Sequence, residues 1–485
     1  MEDEIRQIRI QKIQNLKAAG FDPFSSKPKR RTHRIKEALD QFEEISNSER
    51  KIGIAGRIMS IREHGGSTFA HVFDGSERIQ IYLKKDVLSE ENYKFFLKNF
   101  DIGDFAEFFG TLFLTHKGEK TLKVEWFNIL TKSLLPLPEK WHGIVDDDKR
   151  YRKRYLDILM NPETRKIFEL KAKFWEVGRD FLKSKGFLEV ETPTLEVTTG
   201  GAEANPFKTH HDDFDLDVFL RISVGELWQK RLMAAGFEKT FEIGRVYRNE
   251  GSSPNHLQEF TNGEFYWAYA NFEDGMKLAE ELYKKIAIET FGKTKFKTGE
   301  HEWDISDEWK RIDYVEEIER RAGINILKAS EKKLLEKIHE LGIKYEGESK
   351  ERLIDTIWKH CRRQITGPVF LVNHPKIISP LAKSKPDDPE KVERFQIIIA
   401  GSEAGNGYSE LNDPIDQKER FETQQKLIES GDKEAMMPDW EFCEMLEHGM
   451  PPTCGFGWGE RLFSFMVNKP IRETTLFPLM KPEKE

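Results

Sequence analysis

FEIGRVYRNEGSSPNHLQEFTNGEFYWAY, Phe241–Tyr269, is the stretch from which the rest of the chain is read. Two runs of alternating apolar residues flank a polar loop holding Gly251 and Pro254, which is the pattern of an antiparallel hairpin. The spacing predicts a first strand ending in Arg248, with Glu250 two residues on and so on the same face, and a second strand with Phe260, Glu264 and Tyr266 on one face. That set suits ATP-driven activation of a carboxylate. Arg248 forks onto the α-phosphate and the attacking carboxylate, Glu250 accepts from an adenine amino group, and Phe260 stacks beneath the base. A surface hairpin with a cross-strand ion pair has the same local pattern, so partners elsewhere in the chain must decide.

Two later segments supply them. In GFGWGERLFSF, Gly455–Phe465, three glycines allow close backbone approach before a helix, and Arg461 is expected to lie across the adenine from Phe260. In FQIIIAGSEAGNGYSELNDP, Phe395–Pro414, Glu403 is placed to hold Mg2+ against phosphates, GNG reads as a turn, and Glu410 follows it. Glu410 with Glu226 makes a pair of carboxylates able to select a substrate ammonium, because an unpaired buried charge is costly. The alternative is that both glutamates are structural ion-pair partners.

Working outward, Ile5, Ile8, Ile13 and Leu16 mark an amphipathic helix stopped by Gly20. From Lys51 the period changes to two. Ile52 and Ile54, then Ile79, Ile81 and Leu83, then Leu122, Val124 and Trp126 predict a small antiparallel barrel of about five strands. Prolines and charge in LLPLPEKWHGIVDDDKRYRKRY mark a junction. Beyond it, Ile167, Leu170, Phe174, Val177 and Phe181 form a helical stripe closed by Gly186, followed by the strand-like FLEVETPTL. The expected class is α+β: residues 1–48 a helix and basic linker, 49–135 the barrel, 136–160 a linker, and 161–485 an antiparallel sheet flanked by helices, with a helical insertion near 320–365.

A net charge of -8 gives no global attraction to nucleic acid, so RNA contact needs local patches such as KPKRRTHR at Lys27–Arg34 or KRYRKRY at Lys149–Tyr155. No apolar run is long enough to span a membrane, and the three cysteines are far apart without CxxC pairing, which fits a soluble protein of the reducing cytoplasm.

These residues resemble a known family. FLEVETPTL with Pro193, YRNE around Arg248, and GFGWGERL with Arg461 are similar to the three signature motifs of class II aminoacyl-tRNA synthetases, in the same order. Over nearly the whole chain, segments such as GNGYSELNDP and ISPLAK resemble lysyl-tRNA synthetases. The resemblance implies an OB-fold that reads the anticodon through Phe69, Gln80 and Glu125, and a homodimer formed through the first motif. It implies ATP contacts at Arg248, Glu250, His256, Phe260, Glu403 and Arg461. It also implies a lysine site at Gly200, Glu226, Glu264, Tyr266, Asn406, Tyr408 and Glu410. The partners implied are ATP, lysine and tRNA(Lys).

Several positions depart from that pattern. Gly225 stands before Glu226 where the family usually has proline, in a stretch apparently one residue longer. Gln396 stands where a second acidic magnesium ligand is expected, and Asn255 replaces a loop arginine suited to the γ-phosphate. A relative charging asparagine or aspartate, and a paralogue that binds RNA or modifies protein, are the competing readings.

Overall fold

Residues 2–138, 146–202, 204–251, 253, 256–345, 347, 349–432 and 435–483 are described in the computed structural model, and the chain divides into two units, Met1–Val145 and Asp146–Glu485. Asn255 lies outside the described residues, as does 139–145 of the predicted junction.

In the first unit, helix α1 (Glu2–Ala18) ends before Gly20, whose φ of +82° suits glycine. It buries Ile13 and Leu16, but Ile8 is exposed; Arg9 is buried instead, donating to the Ser133 hydroxyl at 2.6 Å. Strands β1 (Lys51–His64), β2 (Ser67–Phe73), β3 (Arg78–Lys84), β4 (Phe105–Leu114) and β5 (Lys120–Thr131) close a barrel in the order β1-β2-β3-β5-β4. The alternating residues from Ile52 to Val124 point inward, as their period predicts. Trp126 does not. A bulge where Phe109 and Gly110 face Trp126 and Val124 adds Glu125 to the strand, so Phe127 takes the inner position and Trp126 turns outward. The basic run Lys27–Arg34 lies on the barrel wall, where the backbone amides of Lys29 and Arg30 donate to Glu107 at 2.8 and 2.9 Å and Arg30 sits 4.7 Å over the Trp126 ring.

The second unit is built on an eight-stranded sheet. Its strands are β6 (Leu188–Glu189), β7 (Lys239–Tyr247), β8 (Glu259–Ala268), β9 (Lys310–Asp313), β10 (Val369–Val372), β11 (Arg394–Ile399), β12 (Ser402–Ser409) and β13 (Thr453–Gly459). The order is β9-β10-β11-β12-β13-β8-β7-β6, antiparallel except for the outermost pairs at the two edges. Helices α2 (Pro162–Ser184) and α3 (Phe272–Ile286) bury Phe174, Phe181, Leu282 and Tyr283 against one face, with Phe265, Phe395 and Phe456 of the sheet. The opposite face is covered in part, where Leu227, Met233, Phe421 and Phe442 pack with Tyr266 and Ala268, and is otherwise open. FLEVETPTL is strand only at Leu188–Glu189 and Leu195–Glu196, because between them Thr192 bonds the Glu242 side chain instead of a neighbouring backbone.

The charged stretch after Lys328 is helical, as expected. Helices α4 (Tyr314–Ala322), α5 (Glu331–Glu340) and α6 (Lys350–Cys361) share a core of Ile318, Leu334, Ile338, Leu353 and Ile357. The basic run Lys149–Tyr155 is absorbed by ion pairs: Arg150 is bidentate to Glu473 at 3.1 Å, and Arg154 is buried on Asp157 at 2.8 Å.

Candidate active site

Sheet register builds the floor of a cavity of about 760 Å³ on the open face. Tyr266, Gly455 and Tyr408 form one row across β8, β13 and β12; Glu264, Gly457 and Asn406 form the next. The glycines keep the floor open. A Cβ at Gly455 would fall 2.2 Å from Glu410 Oε1 and 2.6 Å from the Tyr266 ring.

Two details of this floor were not foreseen. GNG is not a turn: Gly405, Asn406 and Gly407 lie within β12, and Gly405 is glycine because a Cβ there would meet the Tyr283 hydroxyl at 2.6 Å and the Phe456 ring at 2.7 Å. The turn is at Ala400 and Gly401, both with positive φ. Between Ile397 facing Gly405 and Ile398 facing Glu403, Ala404 is an extra residue. This bulge rotates Glu403 onto the face that carries Asn406 and Tyr408.

At the nucleotide end, β7 stops at Tyr247 rather than Arg248. The Arg248 amide still donates to Gln258 O at 2.8 Å, but the Asn249 amide turns away to Asn205 O at 2.7 Å, so Arg248 and Glu250 project from the loop. The Arg248 guanidinium lies 5.3 Å over the Phe260 ring and, among the described residues, donates only to Ile222 O, at 3.3 and 3.4 Å. Arg461 begins helix α7 (Glu460–Val467) after its first residue and donates to Glu403 O at 3.3 Å. His256 makes a 2.7 Å hydrogen bond with Ser253 Oγ. Burial and nearby Arg461 lower its pKa, with Glu250 opposing. All six side chains, Arg248, Glu250, His256, Phe260, Glu403 and Arg461, line the cavity.

Gln396 Nε2 donates to Glu403 Oε2 at 2.9 Å, and its own Oε1 is buried with no hydrogen-bond partner among the described residues. One carboxylate beside an orphaned amide oxygen suits Mg2+, which takes few protein ligands and completes its shell with phosphate and water oxygens. Among the described residues no group of three or more His, Cys, Asp or Glu is arranged to hold a metal alone.

At the other end, helix α8 (Glu226–Ala234) starts at Gly225, which is left-handed at φ +66° with no room for a Cβ beside Thr192. A proline cannot occupy that conformation. The pair Glu226 and Glu410, expected to stand open to a substrate ammonium, is bridged from within the chain. Lys230 Nζ lies 2.8 Å from Glu226 Oε1 and 2.5 Å from Glu410 Oε2, with Lys230 1 % exposed. Burial pushes the Lys230 ammonium down, but the two carboxylates more than offset it and raise its pKa. Burial likewise raises Glu410, which Lys230 only partly opposes. Sequence reasoning missed Lys230, although its signal is plain: it is four residues after Glu226 on a helix whose same face carries the apolar Met233.

Glu264 accepts from the Val224 amide at 2.8 Å and from the Tyr266 hydroxyl at 3.1 Å; Tyr408 donates its hydroxyl to Glu226. Gly200 is not on the cavity wall: it backs Leu227 and accepts from Ser223 Oγ at 2.8 Å, while Gly201 and Ala202 line the space.

On the barrel, Phe69 and Gln80 lie on the outer faces of neighbouring strands. The Phe69 ring is 4.8 Å from Tyr82, which is 6.0 Å from Phe113, an aromatic row of which only the first member was singled out. Gln80 is held by Glu119 at 2.6 Å and Thr121 at 2.9 Å. Glu125, at the bulge, pairs with Lys51 at 2.7 Å.

Comparison with known proteins agrees with this geometry. The family "tRNA synthetases class II (D, K and N)" matches residues 146–481, and "OB-fold nucleic acid binding domain" matches 52–130. A lysine–tRNA ligase of Thermosipho africanus is 44 % identical over 99 % of this chain and 96 % of its own length. One from Thermotoga maritima is 44 % identical over 99 % and 97 %, and one from Halalkalibacterium halodurans 43 % over the same shares.

Proposed function

Because the chain belongs to the class II tRNA synthetases, we propose that its cavity activates lysine with ATP and that the enzyme transfers the lysyl group to tRNA(Lys). The observation that carries this reading is one cavity lined by a phosphate-ready cluster, Arg248, Arg461 and Glu403, beside a buried carboxylate pocket, Glu226, Glu264 and Glu410.

The lysine carboxylate attacks the α-phosphorus in line with the bond to the β-phosphate oxygen; that bond breaks and pyrophosphate leaves, giving lysyl-adenylate. Arg248 is fixed over Phe260 with most of its donors uncommitted among the described residues, so it neutralises charge growing on the α-phosphate and orients the carboxylate. Arg461 and Phe260 take opposite faces of the adenine, and Glu250 accepts from its amino group. Glu403, with the Gln396 side-chain oxygen beside it, would hold magnesium, which would supply charge neutralisation at the phosphates. The 3′ hydroxyl of tRNA then attacks the acyl carbon and displaces AMP.

Three carboxyls in one cavity disfavour aspartate and offer asparagine nothing that needs them, which supports lysine. The convergence of Arg248, Glu250, Glu403 and Arg461 supports an active enzyme over a repurposed paralogue. Amino-acid-dependent exchange of pyrophosphate into ATP tests the reading. Exchange with lysine and none with asparagine or aspartate is expected; equal exchange with aspartate refutes it.

Glu264 carries a pH signature. Burial, then the neighbouring Glu226, raise its carboxyl from 4.5 to about 7. Between those values the folded chain holds a proton the unfolded chain releases, so this group's contribution to stability is present below about 4.5 and is lost as pH rises through about 7. Glu264 receives the substrate α-ammonium once ionised. The kcat/KM for lysine is expected to rise about tenfold per pH unit below about 7 and level off above it, a limb that Glu264→Gln removes. A pH-independent KM for lysine across that range contradicts the assignment.

The barrel reads the anticodon through Phe69, Gln80 and Glu125, supported by the outer aromatic row of Phe69, Tyr82 and Phe113. Stacking contributes about 1–3 kcal/mol per base, so Phe69→Ala should raise KM for tRNA(Lys) some ~10- to 100-fold and leave pyrophosphate exchange unchanged. Exposed Leu188, Leu195 and Val197 around Pro193 support a homodimer through this edge. No helix among the described residues is long and apolar enough to cross a membrane, which accords with a cytoplasmic enzyme.

A further inference from the structure

The helical insertion reaches the nucleotide end of the cavity. Helix α6 presents Glu351, Asp355 and Lys359 at intervals of four, and the following turn presents Arg362, all on the cavity wall beside Glu250, Glu403 and Arg461. The opposite side of α6 buries Leu353, Ile354 and Ile357, and Arg352 holds the helix by a 3.0 Å ion pair to Asp432, so the exposed face is fixed in direction.

Charge on this face is graded. Lys359 neutralises Asp355 at 2.7 Å, which leaves Glu351 at the far end and Arg362 at the near end. Arg362 is half-buried, and its guanidinium has no ion pair or hydrogen bond among the described residues. A half-buried cation without a partner, facing a cavity, is an arrangement that an anionic ligand completes. Its field is felt by the nucleotide cluster. Burial lowers the Arg461 pKa, Glu403 opposes, and Arg362 and Arg248 lower it further; Lys359 likewise contributes to lowering His256.

The rest of that cluster is short of positive charge for a triphosphate. Gln396 takes a place where a carboxylate would strengthen metal binding, and Asn255 stands where an arginine is usual. We propose that Arg362 binds the β- and γ-phosphates of ATP and the departing pyrophosphate, so that the insertion is the third wall of the phosphate site. This rests on the reading of the cavity as an ATP site and assigns part of it to a segment about 100 residues distant from Arg248 and Arg461 on either side.

Inorganic tripolyphosphate, adenosine and ATP are the probes, measured by calorimetry and by lysine-dependent pyrophosphate exchange on the full-length enzyme. A charge-assisted contact is worth about 1.5–3 kcal/mol, so Arg362→Gln should weaken tripolyphosphate binding and raise KM for ATP by roughly 10- to 100-fold. Adenosine affinity and KM for lysine should stay unchanged, and Arg362→Lys should recover part of the loss. Because Arg362 has no partner among the described residues, the variant's melting temperature should match the parent's. Unchanged tripolyphosphate affinity in Arg362→Gln overturns the proposal, as does an equal loss of adenosine binding, which would mean a deformed cavity. Absence of lysine-dependent exchange in the parent enzyme would refute the activation chemistry, while the tripolyphosphate comparison would still decide the anion site.

Discussion

Lys230→Met is expected to lower the stability of the folded chain by about 3–5 kcal/mol, the usual consequence of removing one partner from a buried ion pair. Methionine keeps the length and most of the volume of the lysine stem, so the loss is one of charge and leaves little cavity behind. Lys230 Nζ sits 2.8 Å from Glu226 and 2.5 Å from Glu410, and Glu264 lies in the same closed space. Without it, the buried carboxyls of Glu226 and Glu410 lose the cation that bridges them. Adding Glu410→Gln to the variant should recover part of the stability, because one uncompensated charge is gone; a double-mutant cycle by urea unfolding measures this. Activity separates the roles further. Lys230 fixes Glu226 and Glu410 in place, so the variant should lose lysine affinity before ATP affinity. A variant as stable as the parent, with an unchanged KM for lysine, would show that the bridge does not organise the pocket.

Lys230 also illustrates what the sequence hides. The barrel was legible because its alternation is regular through Ile52, Ile54, Ile79, Ile81 and Leu83, and each points inward. It failed at Trp126, where a bulge that no composition signals reverses the faces. The same physics operates at the cavity. Glu403 and Asn406 are three residues apart and by strict alternation belong on opposite faces; the extra residue Ala404 brings them together. Glycines gave a mixed signal. In GFGWG they mark a strand whose side must stay open, as the close approach of Tyr266 and Glu410 to Gly455 explains. In GNG the same residue type suggests a turn, yet those glycines make room for Phe395, Phe456 and Tyr283 on the core side. Arg362 and Lys359 could not be placed at all, since their helix reaches the cavity only through tertiary packing.

Arg248→Ala should reduce the rate of pyrophosphate exchange by about 10²–10³, the range for deleting one preorganised donor to charge that develops in a transition state. The argument rests on how little holds Arg248 within the protein. Its guanidinium donates weakly to Ile222 O at 3.3 and 3.4 Å and otherwise lies 5.3 Å over Phe260 at the cavity wall, so its orientation is set while its remaining donors have no partner among the described residues. For the same reason its removal should cost the fold no more than about 1 kcal/mol, the net worth of an ordinary hydrogen bond. A large loss of activity with an almost unchanged melt distinguishes it from Lys230, where stability falls first. Arg248→Lys should restore little, because a single ammonium cannot bridge an α-phosphate and a carboxylate as a planar fork does. The loss should fall on kcat more than on KM for lysine, since the contact strengthens as the phosphate becomes five-coordinate. If instead KM for ATP rises with kcat preserved, Arg248 binds the ground state and the stabilising role passes to Arg461, which also lines this end of the cavity beside Glu403.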